Sequence, residues 1–520
     1  MIPGTEVLID DRDTSDSVVL IPHPSNAPHD PLNWTRLWKI LVLFSQGSFV
    51  LFSVVTNLSI APLAPIYMAE WGKSETQVAL LTGATVLSLG YANFIIIPCS
   101  DVFGRRVVLI VCSLITIGSC IWQATATSYS SFLGGRILTG LGAAANESIM
   151  PVVVADVKFL HQRGKYIGVY FYCYFMGLFL GPIISGAVAQ RTSWRWFFWA
   201  CTIAQAINLV CLLVMSPETR RVGMEPHSSQ DAPAFESPSD SGDAEKNEYK
   251  EQIESYSAPI NITPECLGHG KPVRDQFGIF HPIDRQALRQ ILQYFIIPVE
   301  IFFFPIIFWA AMSMGAAANA LLCVNLLQSQ ALSAPPYNFS PQNVGFANFA
   351  LVAGGIAGLS IAGPWSDWVA MRATKKNGGI REPEMRLPSL IPFIAATVVG
   401  MVIVGYGWQK GWRWEPVIIV GFSLVGFIVV SIPTLCITYA IDCYKPIAGP
   451  IMVISTVCKN TFGFGMSYYI NSWATKSGFG PPVYLLMAMT AGFPLVGLII
   501  FSFWGKSFRR WTRNSRLHRM

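Results

Sequence analysis

Four ionisable residues stand inside otherwise apolar stretches: Arg136, Glu147, Glu300 and Lys459. A charge in such surroundings is costly unless it faces a partner or a cavity. Their types suit reversible proton binding and ion pairing. Glu147 is the first candidate to carry a proton and Glu300 the second. Lys459, followed by Asn460, can hold an anionic group or pair with either glutamate. Arg136 lies eleven positions before Glu147. On an unbroken helix that separation is three turns plus about 20°, or about 16 Å on one face. Such a stripe suits a proton or substrate path. The alternative is that each charge pairs statically with a polar group on another helix. Asn319, Asn348, Tyr468 and Tyr469 add hydrogen-bonding capacity in neighbouring apolar segments.

Other chemistries find no residues. GxSxG, HExxH, a phosphate loop, paired histidines and CxxC are all missing from the sequence. Ten of the eleven cysteines lie in or beside apolar segments, as small buried hydrophobes do. The reading is therefore not an enzyme, with no cofactor and no metal. A net charge of +6 is no nucleic-acid signature.

The elements that must position these residues are membrane helices. Hydrophobic residues make up 52% of the chain and charged residues 13%, about half the usual charged share of a soluble protein. Six apolar segments of about twenty residues precede a polar centre and six follow it. This predicts an all-α membrane protein of twelve helices in two six-helix bundles. The expected parts are a cytoplasmic tail (1–37), a first bundle (38–216), a largely disordered cytoplasmic loop (217–292), a second bundle (293–505) and a basic tail (506–520). Residues 283–292 read as an interfacial helix. Lys and Arg concentrate in one alternate set of loops and the C-terminal tail, so both termini are expected in the cytoplasm. Asn338, in Asn-Phe-Ser after the seventh segment, is the best glycosylation sequon for the other side.

Two loops carry charge clusters. Pro98–Arg106 places Asp101, Gly104, Arg105 and Arg106 between two apolar runs. Gly104 permits a tight turn, and Asp101 can pair with either arginine or face a helix N-terminus. An echo, with Gly363 and Asp367, recurs in the second half, followed by Ala370-Met371-Arg372. Asp156 and Arg163 lie in the loop after the fourth segment. The fifth segment contains Gly177, Gly181, Pro182 and Gly186, a small-residue stripe with a helix-bending proline.

These stretches resemble signatures of the major facilitator superfamily. Ile97-x-x-x-Asp101-x-x-Gly104-Arg105-Arg106 is similar to the motif joining its second and third helices, with Ile97 where the family has Gly. Arg136-Ile-Leu-Thr-Gly140 resembles its fourth-helix signature. Gly177-x-x-x-Gly181-Pro182-x-x-Ser185-Gly186 resembles the signature of its drug:proton antiporters. Pro31-Leu-Asn-Trp34, Ser193-Trp-Arg-Trp-Phe-Phe-Trp199, Ser216-Pro-Glu-Thr219 and Asn460–Trp473 look like fungal members of that branch.

The resemblance implies a monomeric, proton-coupled plasma-membrane transporter. It would export a small organic compound, such as a drug, toxin or specialised metabolite, by alternating access. Gating would fall to Asp101, Gly104, Arg105, Arg106, Asp156, Arg163 and Asp367. Substrate binding would fall to Arg136, Lys459, Asn460, Asn319, Asn348 and Tyr468. The alternatives are uptake of a nutrient or organic cation, and, more remotely, a transporter-like sensor.

Overall fold

The computed structural model describes residues 6–7, 25, 27–221, 268–278, 296–377, 380–444 and 448–512, with backbone alone at 6–7, 160–165, 380 and 448. The side chain of Arg163 and the segment 283–292 lie outside the described residues. Among the described residues, twelve long helical units follow one another. They are α1 (Arg36–Trp71), α2 (Glu75–Phe103), α3 (Arg105–Thr125), α4 (Tyr129–Val157), α5 (Tyr166–Arg191) and α6 (Trp194–Met215). Then come α7 (Pro305–Ser333), α8 (Pro341–Lys376), α9 (Pro383–Lys410), α10 (Pro416–Cys443), α11 (Ala448–Ser477) and α12 (Gly480–Thr512). Eleven are long and apolar enough to cross a membrane. α11 has the length, 30 residues, but is less apolar because it carries Lys459, Asn460, Ser467 and Asn471, all buried inside the protein.

The seventh segment is helical in two pieces. Residues 296–302 are helical, the helix breaks at Phe303 and Phe304, and α7 resumes at Pro305, a residue pre-set for the first helical position. Glu300 lies in the shorter piece, and it is exposed.

Both ends of the described helices, Arg36 and Thr512, lie on one side, here the near side; the opposite side is the far side. The two halves meet through α2 against α11 and α5 against α8. Their close approaches are in the far halves of these helices. A Cβ on Gly186 would stand 2.7 Å from the Pro341 carbonyl oxygen, and one on Gly345 would stand 2.8 Å from that of Pro182. Only glycine lets these backbones meet. Thr76 and Ser472 share a 2.7 Å hydrogen bond near the far ends of α2 and α11. Gly177 and Gly181 face α1 instead, at the carbonyls of Leu51 and Val55.

On the near side, the Gly104 turn has φ +100°. A Cβ there would also fall 2.4 Å from Glu218 Oε2. That carboxylate accepts from the amides of Arg105 (3.0 Å) and Arg106 (3.1 Å), capping the start of α3. A carboxylate there is stabilised by the free N–H groups and the helix dipole. Arg106 is buried and caps the end of α6 through the carbonyls of Leu212, Leu213 and Ser216. Residues 268–278 return to this face. Gln276 O accepts from Glu218 N at 2.8 Å, Gly270 bridges Trp34, and the Phe277 ring packs on Trp38 and under Arg106.

Candidate functional site

Near mid-height, Glu147 of α4 and Lys459 of α11 form an ion pair of 2.5 Å through Oε1. Glu147 is 4% exposed and Lys459 8%. The Tyr174 hydroxyl of α5 donates to the same oxygen at 2.9 Å, and the ammonium lies 5.6 Å from the centre of the Tyr174 ring. A carboxylate from one bundle is thus held by an ammonium from the other.

Local sequence explains why Glu147 is presented this way. α4 is interrupted at Ala144, and the Glu147 amide bonds back to Ala144 O at 3.2 Å, a three-residue step. Pro151, four residues on, has no N–H to give to the Glu147 carbonyl. The helix is therefore opened on both sides of its only acidic residue at this depth. Broken helices at mid-membrane are where transporters place binding groups.

The pair borders a cavity that leaves about 90 Å³ for the centres of water-sized molecules. Tyr170, Phe171, Tyr174 and Phe175 of α5 form an aromatic wall. Met314, Asn319, Leu322 and Asn325 of α7 face it, with Val429, Pro433, Met452 and Thr456 completing the enclosure. This is an apolar pocket with a few polar groups, the kind of lining that small-molecule sites have. A second cavity, with about 40 Å³ for water centres, borders the same glutamate and is lined by Val54, Asn57, Leu58, Thr85, Val86, Leu89, Tyr174 and Asn460.

The structure brings Glu147, Lys459, Asn460 and Asn319 together. Asn319 donates to the carbonyls of Gly315 (2.7 Å) and Lys459 (3.0 Å) and steadies α11 beside the pair. Other candidates stand apart. Arg136 lines neither cavity. It is fully buried and donates to the carbonyls of Leu81, Thr56 and Asn57. The last two end the first stretch of α1, where free carbonyls attract a cation. The stripe joining Arg136 to Glu147 is thus replaced by the static alternative for Arg136. Asn348 is buried and bonds within α8 to Val344 and Gly345. Tyr468 is 63% exposed and faces outward. Glu300, also exposed, is outside the cavity. Asn338 is exposed in the loop after α7, at φ +51°.

Of the expected gating residues, Arg105 joins Asp101 and Asp156, at 3.2 Å each. Asp367 pairs at 3.0 Å with Arg386 of α9 rather than with the nearby Arg372, which stacks on Trp368. Sequence reasoning passed over Tyr174, Asn57, Glu218 and Arg220. The signal for Tyr174 was present: Tyr170, Tyr174, Gly177 and Gly181 repeat at four, three and four, one face of a helix. Arg220 donates to the carbonyls of Asp101 and Val102 and so closes the end of α2.

The family model described as Major Facilitator Superfamily matches residues 47–442. Protein HOL1 of Saccharomyces cerevisiae is 25% identical over 96% of this chain and 92% of its own length. The probable efflux pump mfs2 of Aspergillus flavus is 24% identical over 86% of this chain and 98% of its own. Among solved structures, the partially occluded inward-open xylose transporter XylE from E. coli superposes with a TM-score of 0.56 at 14% identity. That comparison covers 91% of this chain and 99% of XylE. The human organic anion transporter MFSD10 superposes at 0.54 with 15% identity, over 89% and 99%. Both show the same fold. The chain belongs to the Major Facilitator Superfamily and is a membrane transporter, not an enzyme.

Proposed function

We propose that this Major Facilitator Superfamily transporter is proton-coupled, with Glu147 as the proton carrier, and that it exports a small organic compound by alternating access. The observation that carries the reading is the ion pair between Glu147 and Lys459, made across the two bundles at the wall of a largely apolar cavity. Protonation of Glu147 removes the negative partner of Lys459. The pair then no longer ties α4 to α11, and the bundles are free to rearrange about the cavity. Loss of the proton restores the tie. A substrate that competes with the proton at Glu147 is exchanged for it.

The close far-side contacts of α5 with α8, and of α2 with α11, fit a state whose access is from the near side. The reading places both termini in the cytoplasm, so that this state loads from inside, and places the protein in the plasma membrane as a monomer. Asn338 is the proposed glycosylation position. Efflux as the direction rests on the antiporter-like stripe in α5 and on relatives named as efflux pumps.

A second reading keeps the site and reverses the direction: uptake of an organic cation. It is favoured by Lys459 itself, whose ammonium lies against a carboxylate and near a tyrosine ring. A free ammonium compound would meet the same groups. Reconstituted vesicles test both. Transport should require an imposed pH gradient and vanish in Glu147→Gln. Unchanged coupling in that variant removes Glu147 as the carrier. Net loss of a labelled compound from expressing cells supports export, and accumulation supports uptake.

A further inference from the structure

Glu147 has two carboxylate oxygens in two different situations. Oε1 takes both Lys459 and Tyr174, while Oε2 is buried with no hydrogen-bond partner. Lys459 lines the larger cavity and not the smaller one. The smaller cavity shares Leu58, Val86, Glu147, Tyr174 and Asn460 with the larger and adds Asn57, whose Oδ1 is buried and unpartnered, as is Asn460 Nδ2. Both asparagines are more than nine-tenths buried, at 3% and 4% exposure. Thr85 adds a hydroxyl whose proton is committed to the carbonyls of Leu81 and Arg136, leaving its lone pairs free. Leaving such groups dry costs free energy that nothing nearby repays.

We propose that the smaller cavity is a water site that passes protons to Glu147 through its unpartnered Oε2. It rests on Glu147 being the proton carrier. The chemistry selects the occupant. The site offers acceptors on Glu147, Asn57 and Thr85 and one donor on Asn460. Water fills this set, accepting from Asn460 and donating to the others, and a buried water needs two to four such partners. A bare metal cation would meet the Asn460 amide protons head-on. The room for water centres there is about 40 Å³, above the roughly 10–15 Å³ that one water needs.

The charged and titratable groups facing Glu147 are Lys459 from α11 and Tyr170 and Tyr174 from α5. The cavity-lining residues of α1 and α2 are neutral. Substrate then meets the carboxylate on the Lys459 side, and the proton arrives on the Asn57 side.

The test is infrared spectroscopy of the full chain in lipid nanodiscs during a jump from alkaline to acid pH. The carboxylic C=O band lost in Glu147→Gln reports its protonation. Asn57→Leu, which fills the site with apolar volume, should slow the appearance of that band by roughly tenfold, the equivalent of one lost hydrogen bond in the relay. Asn57→Ser, which keeps a polar group, should restore most of the rate. Thr85→Val gives a second slowing should Asn57→Leu fail to fold. An unchanged rate in both apolar variants overturns the proposal, as does slowing only when Leu322→Trp fills the larger cavity. A band that responds to replacing choline chloride with sodium chloride assigns the site to a metal cation and also overturns it. Absence of any Glu147 band in the wild type defeats the carrier reading itself, a distinct result.

Discussion

Asp367 pairs with Arg386, nineteen positions on, whereas Asp101 pairs with Arg105, four positions on. The two arrangements are nevertheless alike. Arg105 also reaches Asp156 at the end of α4, and Arg386 also reaches Asp442 at the end of α10. Each half thus joins the near ends of its second, third and fourth helices through one arginine between two aspartates. A further carboxylate extends each cluster with opposite sense. In the first half Glu218, following α6, caps α3. In the second half Glu384, at the start of α9, holds Arg509 of α12 at 2.7 Å.

The second cluster therefore depends on Arg386 and not on Arg372. Arg386 is 9% exposed and also donates to Ser366 at 3.1 Å. Arg386→Ala should lower stability by about 1–3 kcal/mol, because it removes a buried guanidinium that bonds the buried Ser366 hydroxyl and shares Asp442 with Arg381, while the exposed Asp367 adds little. Arg372→Ala removes only a stacked cation and should cost less than about 1 kcal/mol. Thermal unfolding of the purified protein in detergent ranks the two, and equal losses would contradict the arrangement.

Apolar segments, the charged turn and the isolated charges were readable because each is local. Glu147 and Lys459 announce themselves as charges in hydrocarbon, and the penalty for leaving them unpaired demands a partner. Which partner is decided by the packing of α4 against α11, across 312 positions, and no local pattern encodes that. Arg136 shows the converse. Its penalty is met by backbone carbonyls at the interruption of α1, a kind of partner that every sequence position offers and none advertises. Glu300 reads as a charge in hydrocarbon, but it lies in the short helical piece ahead of the break at Phe303 and Phe304, exposed and outside the cavity. Asp367 kept its expected pairing chemistry but took its arginine from the next helix.

The ion pair itself should show strong non-additivity. Lys459→Met leaves Glu147 buried without a counter-charge, a change that costs about 3–5 kcal/mol in buried pairs. Adding Glu147→Gln removes the orphaned charge and should recover a large part of that loss, though transport coupling stays absent. A double-mutant cycle by thermal unfolding measures the interaction directly. Additive losses would mean that the two side chains do not share one energetic unit.

Acid should release the lead-in to α1. Burial by itself would raise the Asp30 carboxyl, but hydrogen bonds from the amides of Ser25 and Leu32, the Ser25 hydroxyl and the Arg221 guanidinium hold it below its ordinary 3.8. A carboxyl depressed in the folded state adds stability above its unfolded value and loses it as pH falls through the folded one. Protection of residues 25–35 from pepsin should therefore hold down through the ordinary carboxylate range and fail below it. In Asp30→Asn protection should be weak throughout, with no step. A step of the same size in that variant would assign the acid response to another group.

Far-side closure depends on two backbone contacts that admit no side chain. Gly186 lies against Pro341 O, and Gly345 against Pro182 O. A leucine at position 345 cannot occupy that space, and the obstructing atom belongs to backbone rather than to a side chain that can swing away. α5 and α8 must then separate at their far ends. Near-side opening requires those ends together, so Gly345→Leu should shift the population toward the far-open state. Spin labels at Lys73 and Lys476, on the far side of either bundle, report the change once the native cysteines are replaced. The variant should show a longer distance than the parent, and transport should fall even though Glu147, Lys459 and the cavity wall are untouched. An unchanged distance distribution with full transport would show that α5 and α8 can close without this contact.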